Sequence, residues 1–226
     1  MFHQSRRKLI IPFIAPQFIL YFIFMFLPLA ATIFYGFTDW QGHGNPWHWA
    51  GGLNYRILWH DANFHKALRN AVYLMVVGGI IVFIPAMFLA WALQHNLKGH
   101  RFFQFIILSP LVIAASVAGL MWKWMYNPTQ GLIDPALKAL GLKQFAHPWL
   151  GDPKYALTAI IIASVWHGLG TWVLLIGAGI AQIPADLPDA AKIDGSGDWQ
   201  VFRFITLPLL WEVLRILIVL WIIQAL

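Results

Sequence analysis

Five stretches of this chain are too long and too apolar to be anything but helices in a solvent other than water. They cover residues 9–35, 71–93, 102–122, 155–180 and 207–226. About 20 apolar residues suffice to carry a helix across roughly 30 Å of hydrocarbon. An open strand of the same composition would leave its amides unpaired in lipid, so helix is the only reading. Composition agrees, because the 226 residues are 60% hydrophobic and 11% charged, against about 25% charged in an ordinary soluble domain. The fold class is therefore an all-α integral membrane protein, a bundle of about five transmembrane helices. Pro12, Pro16, Pro28, Pro85 and Pro110 lie inside the runs, and each predicts a kink whose freed carbonyl a neighbouring helix can satisfy.

Orientation follows from the basic residues. Arg6, Arg7 and Lys8 precede a run that extends well beyond the apolar core of a cleaved signal, so the first run is read as a retained span. Positive residues mark the cytoplasmic side, which places the amino terminus there together with Lys98 and Arg101. Lys138, Lys143 and Lys154 fall on the other side, in a long loop where charge counts for less. Alternation then puts 37–70 and 123–154 outside, and 94–101 and 181–206 inside. The net charge of +6 comes from residues scattered singly along loops and span ends, which suits anionic lipid headgroups and not nucleic acid. Tryptophans such as Trp40, Trp47, Trp49 and Trp59 fit an interfacial belt. In the second outer loop, "DPALKALGL" reads as a short helix with Asp134 as N-cap, Pro135 at its first position and Gly141 past its end.

One inner segment is unlike its surroundings: "IPADLPDAAKIDGSGDWQVFRFITLP". Asp186 is placed to cap a short helix, with Asp189 three residues on as in a capping box. Gly195 is placed to end it, since glycine takes the left-handed conformation at little cost, and Gly197 follows. A second amphipathic segment begins there, carrying Trp199, Phe202 and Ile205 on one face, and Pro208 opens the last span. The segment thus predicts a helix, a hinge and a second helix lying at the membrane surface. Ala190 and Ala191 leave one face of the first helix nearly bare, so that it can enter a groove on another protein, while Asp189 near the helix start can meet an arginine or a backbone amide there.

These residues resemble the signature loop of the membrane permeases of bacterial ABC importers, in the carbohydrate branch of maltose and glycerol-phosphate type. That signature reads EAA, three residues, Gly, nine residues, Ile, one residue, Leu-Pro. Here Asp189, Ala190, Ala191, Gly195, Ile205, Leu207 and Pro208 keep every spacing. Two positions depart from it: aspartate replaces the glutamate, and Asp194-Gly195-Ser196 replaces DGA. The stretches "GGLNYRILWHDANFHKALRNAVY", "GHRFFQFIILSPLVIAASVAGLMWKWMYNPTQGLID" and "WLGDPKYALTAIIIASVWHGLG" also resemble the family's first outer loop, third span and fourth span.

The resemblance implies an amino-terminal span and first outer loop over 1–66 and a type I permease core over 67–226. A full-length member has six spans, so the chain reads as truncated in its fifth. It implies a multi-pass bacterial inner-membrane subunit forming the path for a sugar or polyol. Implied partners are a second, non-identical permease, a dimer of cytoplasmic ATPases, an extracytoplasmic solute-binding protein and membrane lipid. Asp189, Ala190, Ala191, Asp194, Gly195, Ile205, Leu207 and Pro208 become the ATPase-coupling positions. No GxxxxGK[ST] run occurs. The chain is accordingly expected to be no enzyme and to bind no cofactor, ATP and Mg sitting on the partner subunits. A truncated non-transporting interaction protein, or a gene fragment, is the alternative.

Other polar groups offer weaker signals. His43, His48, His60 and His65 share one outer loop, but no HExxH pattern supports a membrane metalloenzyme, so no metal ligands are assigned. His167 is a polar residue inside a span, where such residues are rare and often functional. Trp166, His167, Thr171 and Trp172 are the candidate substrate path, with Asn70, Ser109, Ser116 and Ser164 as further polar groups along it. Trp166 and His167 would offer a sugar an aromatic face and a donor. Glu212 and Arg215, three apart, are placed to pair on one helix face.

Overall fold

The computed structural model describes residues 2–42, 44, 46–94 and 99–225; His43 and Lys98 lie outside them. The chain divides into two compact units, one up to Leu68 and one from Arg69 onward.

In the first unit, α1 (Phe2–Tyr21) continues through a π-helical segment, Phe22–Phe26, into α2 (Leu27–Gly36). Residues Pro12–Gly36 of this rod are long and apolar enough to cross a membrane. Its described side chains face outward, Phe13 being 85% exposed, as lipid requires and water forbids. The break to a π segment has a local cause. Pro28 has no N–H and its ring would strike the carbonyl four residues back, so a widened turn just ahead of it removes the clash. After α2 the chain folds on itself: Thr38 pairs with Trp49 as an isolated bridge. The Asn54 amide donates to the Gly36 and Thr38 carbonyls at 3.0 and 2.7 Å, and Asp39 accepts from the His48 amide. That last bond is the main reason the Asp39 carboxyl titrates below its usual range. α3 (Leu53–His60) follows.

α4 (Ala62–Tyr73) passes through a second π segment, Leu74–Gly78, into α5 (Gly79–Gln94). The span predicted at 71–93 is thus the apolar part of one rod, Ala62–Gln94. The third predicted span, 102–122, is not one helix. α6 (His100–Leu108) ends in a 3-10 turn, Ser109–Val112, and α7 (Ala115–Met125) leaves it at 102°. Pro110 marks the place, as its sequence position indicated, but the size of the bend comes from Ile113 and Ala114, which are extended at ψ 129° and 139°.

The second outer loop carries α8 (Ile133–Ala139). Its C-terminus behaves as expected: Gly141 has φ +77°, with Leu142 donating to the Leu137 carbonyl and Gly141 to that of Lys138. Its start differs, because Asp134 lies inside the first turn, buried, accepting a hydrogen bond from the Trp149 indole at 2.8 Å. The Tyr126 hydroxyl, pushed up to about 12 by burial, donates to the Ala159 carbonyl and pins this loop to the fourth span.

That span is α9 (Pro153–Ile180), capped by Asp152 with Pro153 at its first position. α10 (Asp186–Ile193) and α11 (Asp198–Val201) follow, and α11 runs through a third π segment, Phe202–Thr206, into α12 (Leu207–Ala225). Here the expectation is corrected: residues 198–206 are not a separate surface helix, because Asp198–Ala225 is a single rod of 28 residues. Pro208 does not open the span. It sits two residues past a π segment, the same accommodation as at Pro28.

The core of the second unit lies where α5, α9 and α12 meet, around Val82, Ala86, Trp172, Ile176, Leu210 and Leu214. Small residues let the helices close on one another, as they do where no hydrophobic effect drives association. A Cβ at Gly179 would lie 2.8 Å from Leu210 Cδ1, and one at Gly170 2.8 Å from the Ile107 carbonyl oxygen.

Candidate functional site

The elbow between α9 and α12 is built around Gly195. Its φ is +88°, a region that side-chain-bearing residues avoid. The Ser196 amide donates to the Ala191 carbonyl at 2.9 Å and the Gly195 amide to that of Lys192 at 3.0 Å, the paired bonds of a Schellman end. Gly197, extended at φ −74° and ψ 160°, begins α11, and its amide donates to the Gln200 side chain at 2.8 Å. Across the turn, Lys192 Nζ meets Asp198 Oδ1 at 2.9 Å. That carboxylate raises the lysine's pKa, by hydrogen bonding first and by charge second. A raised lysine pKa stabilises fully below the unfolded value and is lost only as pH rises through the folded one, so the brace is intact at neutral pH. Phe202, buried, packs on Trp91 of α5 at 5.2 Å between ring centroids, and Trp199 packs beside it at 5.4 Å. The paired backbone bonds thus define the corner, the ring contacts seat α11 on α5, and the exposed ion pair adds little.

The start of α10 corrects another expectation. Asp186 is not the N-cap. Ala185 is already helical and makes no side-chain cap, because Pro184, with its fixed φ, turns the chain two residues earlier and the Leu187 amide donates to its carbonyl. Asp186 and Asp189 still occupy the first turn, where a negative charge faces the positive end of the helix dipole. Asp189, Ala190, Asp194 and Gly195 are exposed, and no residue of α10 is buried. Of the remaining coupling positions, Ile205 is half-buried inside the third π segment, and Leu207 and Pro208 begin α12. The sequence reading missed Leu187 and Ile193, exposed by 45% and 86%. With Ala190 they are spaced i, i+3, i+6, a stripe that the helical period makes continuous.

A second feature lies among α5, α7, α9 and α12: a cavity of about 410 Å³ lined by Ala115, Ala118, Gly119, Trp122, Ser164, His167, Gly168, Trp172 and Trp221, among others. Of the predicted path residues, His167 and Trp172 line it, while Trp166 and Thr171 stand outside that lining. Trp166 packs edge-on against Trp122, centroids 5.6 Å apart. His167 Nε2 lies 2.9 Å from the Ile113 carbonyl at the break of the third span. A carbonyl only accepts, so the proton sits on Nε2. Trp221 donates to the Met75 carbonyl at 2.8 Å. Glu212 and Arg215 pair as their spacing indicated, at 3.6 Å.

A family model described as binding-protein-dependent transport system inner membrane component matches residues 62–226. The chain belongs to that family. The matched region holds the elbow and the cavity together. This permease is 34% identical to a probable ABC transporter permease protein of Pyrococcus horikoshii, over 88% of its own length and 68% of the relative's. It is 32% identical to the diacetylchitobiose uptake system permease protein of Streptomyces coelicolor, over 90% of its own length and 61% of that relative's. The chain thus spans between three fifths and seven tenths of these curated relatives. In three dimensions the permease is similar to the crystal structure of a bacterial ABC transporter involved in the import of alginate, with a TM-score of 0.78 at 21% identity, covering 96% of this chain and 73% of that one. The shared fold is all-helical and membrane-spanning: among the described residues, four helices of the permease are long and apolar enough to cross, or five with the bent pair counted as one span.

Among the described residues no three histidines, aspartates and glutamates converge on a point. His60 and His65 each turn a ring nitrogen to the backbone carbonyl four residues back, and His48 turns one to Asp39.

Proposed function

We propose that this chain is the permease subunit of an importer for a sugar or related polyol, and that α10 with the Gly195 corner is the lever by which a cytoplasmic ATPase moves it. The observation that carries the reading is the exposed stripe Leu187, Ala190 and Ile193 on a short helix joined by a hydrogen-bonded glycine corner to a membrane-crossing rod. Apolar side chains aligned on one exposed helix face offer a surface that a partner can cover.

The lever works by continuity. Residues 198–225 form one helical rod, about 42 Å long at 1.5 Å per residue. Its buried face carries Leu210, Leu214 and Leu217 into the core beside α9. Displacement of α10 is passed through the corner to α11, and with it to the inner end of that core, instead of being absorbed in a loop. Two such subunits around a central path would turn from inward-open to outward-open as the ATPases close. The carbohydrate class is supported by the relatives' names, which include the diacetylchitobiose permease and, at 29% identity, the sn-glycerol-3-phosphate permease of Escherichia coli. A soluble delivery partner is supported by the alginate transporter, whose structure is in complex with a pentasaccharide-bound periplasmic protein. In this reading the amino terminus and residues 181–197 face the cytoplasm, the second permease is a different chain, and ATP and Mg are bound by the ATPases.

Ile193→Ala tests it. Removing a central apolar anchor from an interface costs about 1–2 kcal/mol, so affinity for the ATP-hydrolysing partner should fall about fivefold or more in detergent-solubilised complexes, with the amount of permease in the membrane unchanged. Undiminished affinity would refute the docking face.

A further inference from the structure

The wall of the cavity contributed by α7 differs from the others. Its residues Ala115, Ala118 and Gly119 are all small and line the cavity. A Cβ built at Gly119 would meet nothing within 4 Å, although one at Gly170 would strike a backbone oxygen at 2.8 Å. Among the described residues, then, packing does not require glycine at 119, and in mid-helix it is about 1 kcal/mol worse than alanine. On the same wall one turn on, Trp122 Nε1 is buried with no hydrogen-bond partner. An N–H left so is costly by about 1–3 kcal/mol, and a hydroxyl entering the cavity relieves it once the ring turns. The start of the wall is set by one bond, since α7 begins just beyond the 102° bend and His167 of α9 holds the Ile113 carbonyl there at 2.9 Å, while Tyr126 ties its far end to the Ala159 carbonyl.

We propose that α7 is the selectivity wall of the cavity: Gly119 sets how large a solute enters, the Trp122 indole binds one of its hydroxyls, and His167 positions the wall without touching the solute. This rests on the proposed function, with the solute path taken through this cavity, whose lining includes His167 and Trp172 of the predicted path. The wall takes a polyhydroxylated solute, because its available group is a donor and its surface is aromatic on the facing side at Trp172 and Trp221.

The chain contains no cysteine, so a single Ser164→Cys in the cavity lining reports access to thiol reagents directly. In membrane vesicles carrying the full chain, adding Gly119→Leu should slow fluorescein maleimide about tenfold while aminoethyl methanethiosulfonate changes less than about twofold. Equal slowing of both reagents, or of neither, would overturn the size role of Gly119. Uptake by cells is then measured for glucose, a glucose disaccharide and a glucose trisaccharide. Gly119→Leu should lower uptake more for the larger of the sugars carried. Trp122→Phe should raise KM with kcat held. His167→Gln, whose amide reaches a similar point, should restore what His167→Leu loses; failure of that rescue would overturn the positioning role, and an unchanged KM in Trp122→Phe would overturn the hydroxyl contact. Size-selective labelling with unchanged uptake would overturn the solute path itself, a result separable from failure of the wall.

Discussion

Gly195→Val is expected to abolish most transport, to below about a tenth of the parent rate, while the protein remains in the membrane in normal amount. The effect comes from the backbone alone. A Cβ at Gly195 would meet nothing within 4 Å, so crowding within the chain contributes nothing. Yet φ is +88°, where a β-branched residue is strained by about 1–3 kcal/mol. Relief requires the residue to leave the left-handed region, which breaks the bonds from Ser196 to Ala191 and from Gly195 to Lys192. α10 then swings relative to α11, and the exposed stripe no longer lies where the corner held it. Gly195→Asn separates the causes, because asparagine tolerates that conformation far better. It should keep most of the transport that valine loses. Uptake and membrane content, measured together for both variants, check this; equal loss in the two would show that bulk against a partner, and not the corner, is what glycine serves.

Gly170→Val is expected to have the largest effect on stability. Glycine at this place lets α9 cross α6 at the backbone: a Cβ would lie 2.8 Å from the Ile107 oxygen and 3.3 Å from Leu108 Cα. Neither atom moves without moving the helix. Overpacking of this kind costs about 1–3 kcal/mol, equivalent to roughly 3–10 °C in the midpoint of thermal unfolding for a chain of this size. Gly119→Ala is the control, since it gains helix propensity into open space and should leave the midpoint unchanged or higher. Fluorescence melting in detergent distinguishes them; a Gly170 variant as stable as Gly119→Ala would contradict the packing.

What could be read in advance, and what could not, follows the range of the forces involved. Gly195 was legible because a left-handed helix end admits few residues and glycine is the one it favours most. The Glu212–Arg215 pair was legible because helical spacing alone brings it together. The break in the third span was only half legible. Pro110 announces a kink, but Ile113 and Ala114 become extended next to α9, where His167, 54 residues away, holds the Ile113 carbonyl and Gly170 meets Ile107 and Leu108. No local pattern encodes that distance. The boundary at Pro208 misled for a physical reason: a proline inside a span need not end it, since Pro28 and Pro208 each lie two residues past a π segment and Pro85 sits inside α5 without one. The capping box at Asp186 and Asp189 had the right residues and the wrong register, since Pro184 begins the turn before them. Leu187 and Ile193 are flanked by aspartates and the alanine pair, which dominate the local pattern. The signal was present in their three-residue spacing from Ala190.

The most direct measurement is made at Ala190. A single Ala190→Cys in this cysteine-free chain, treated with a short bifunctional thiol reagent in inside-out vesicles, should join the permease to an ATP-hydrolysing subunit, with a yield that changes when nucleotide is added. Reaction of the same cysteine with a membrane-impermeant maleimide from outside intact cells, with no such adduct formed, would place the elbow on the wrong face and contradict the lever.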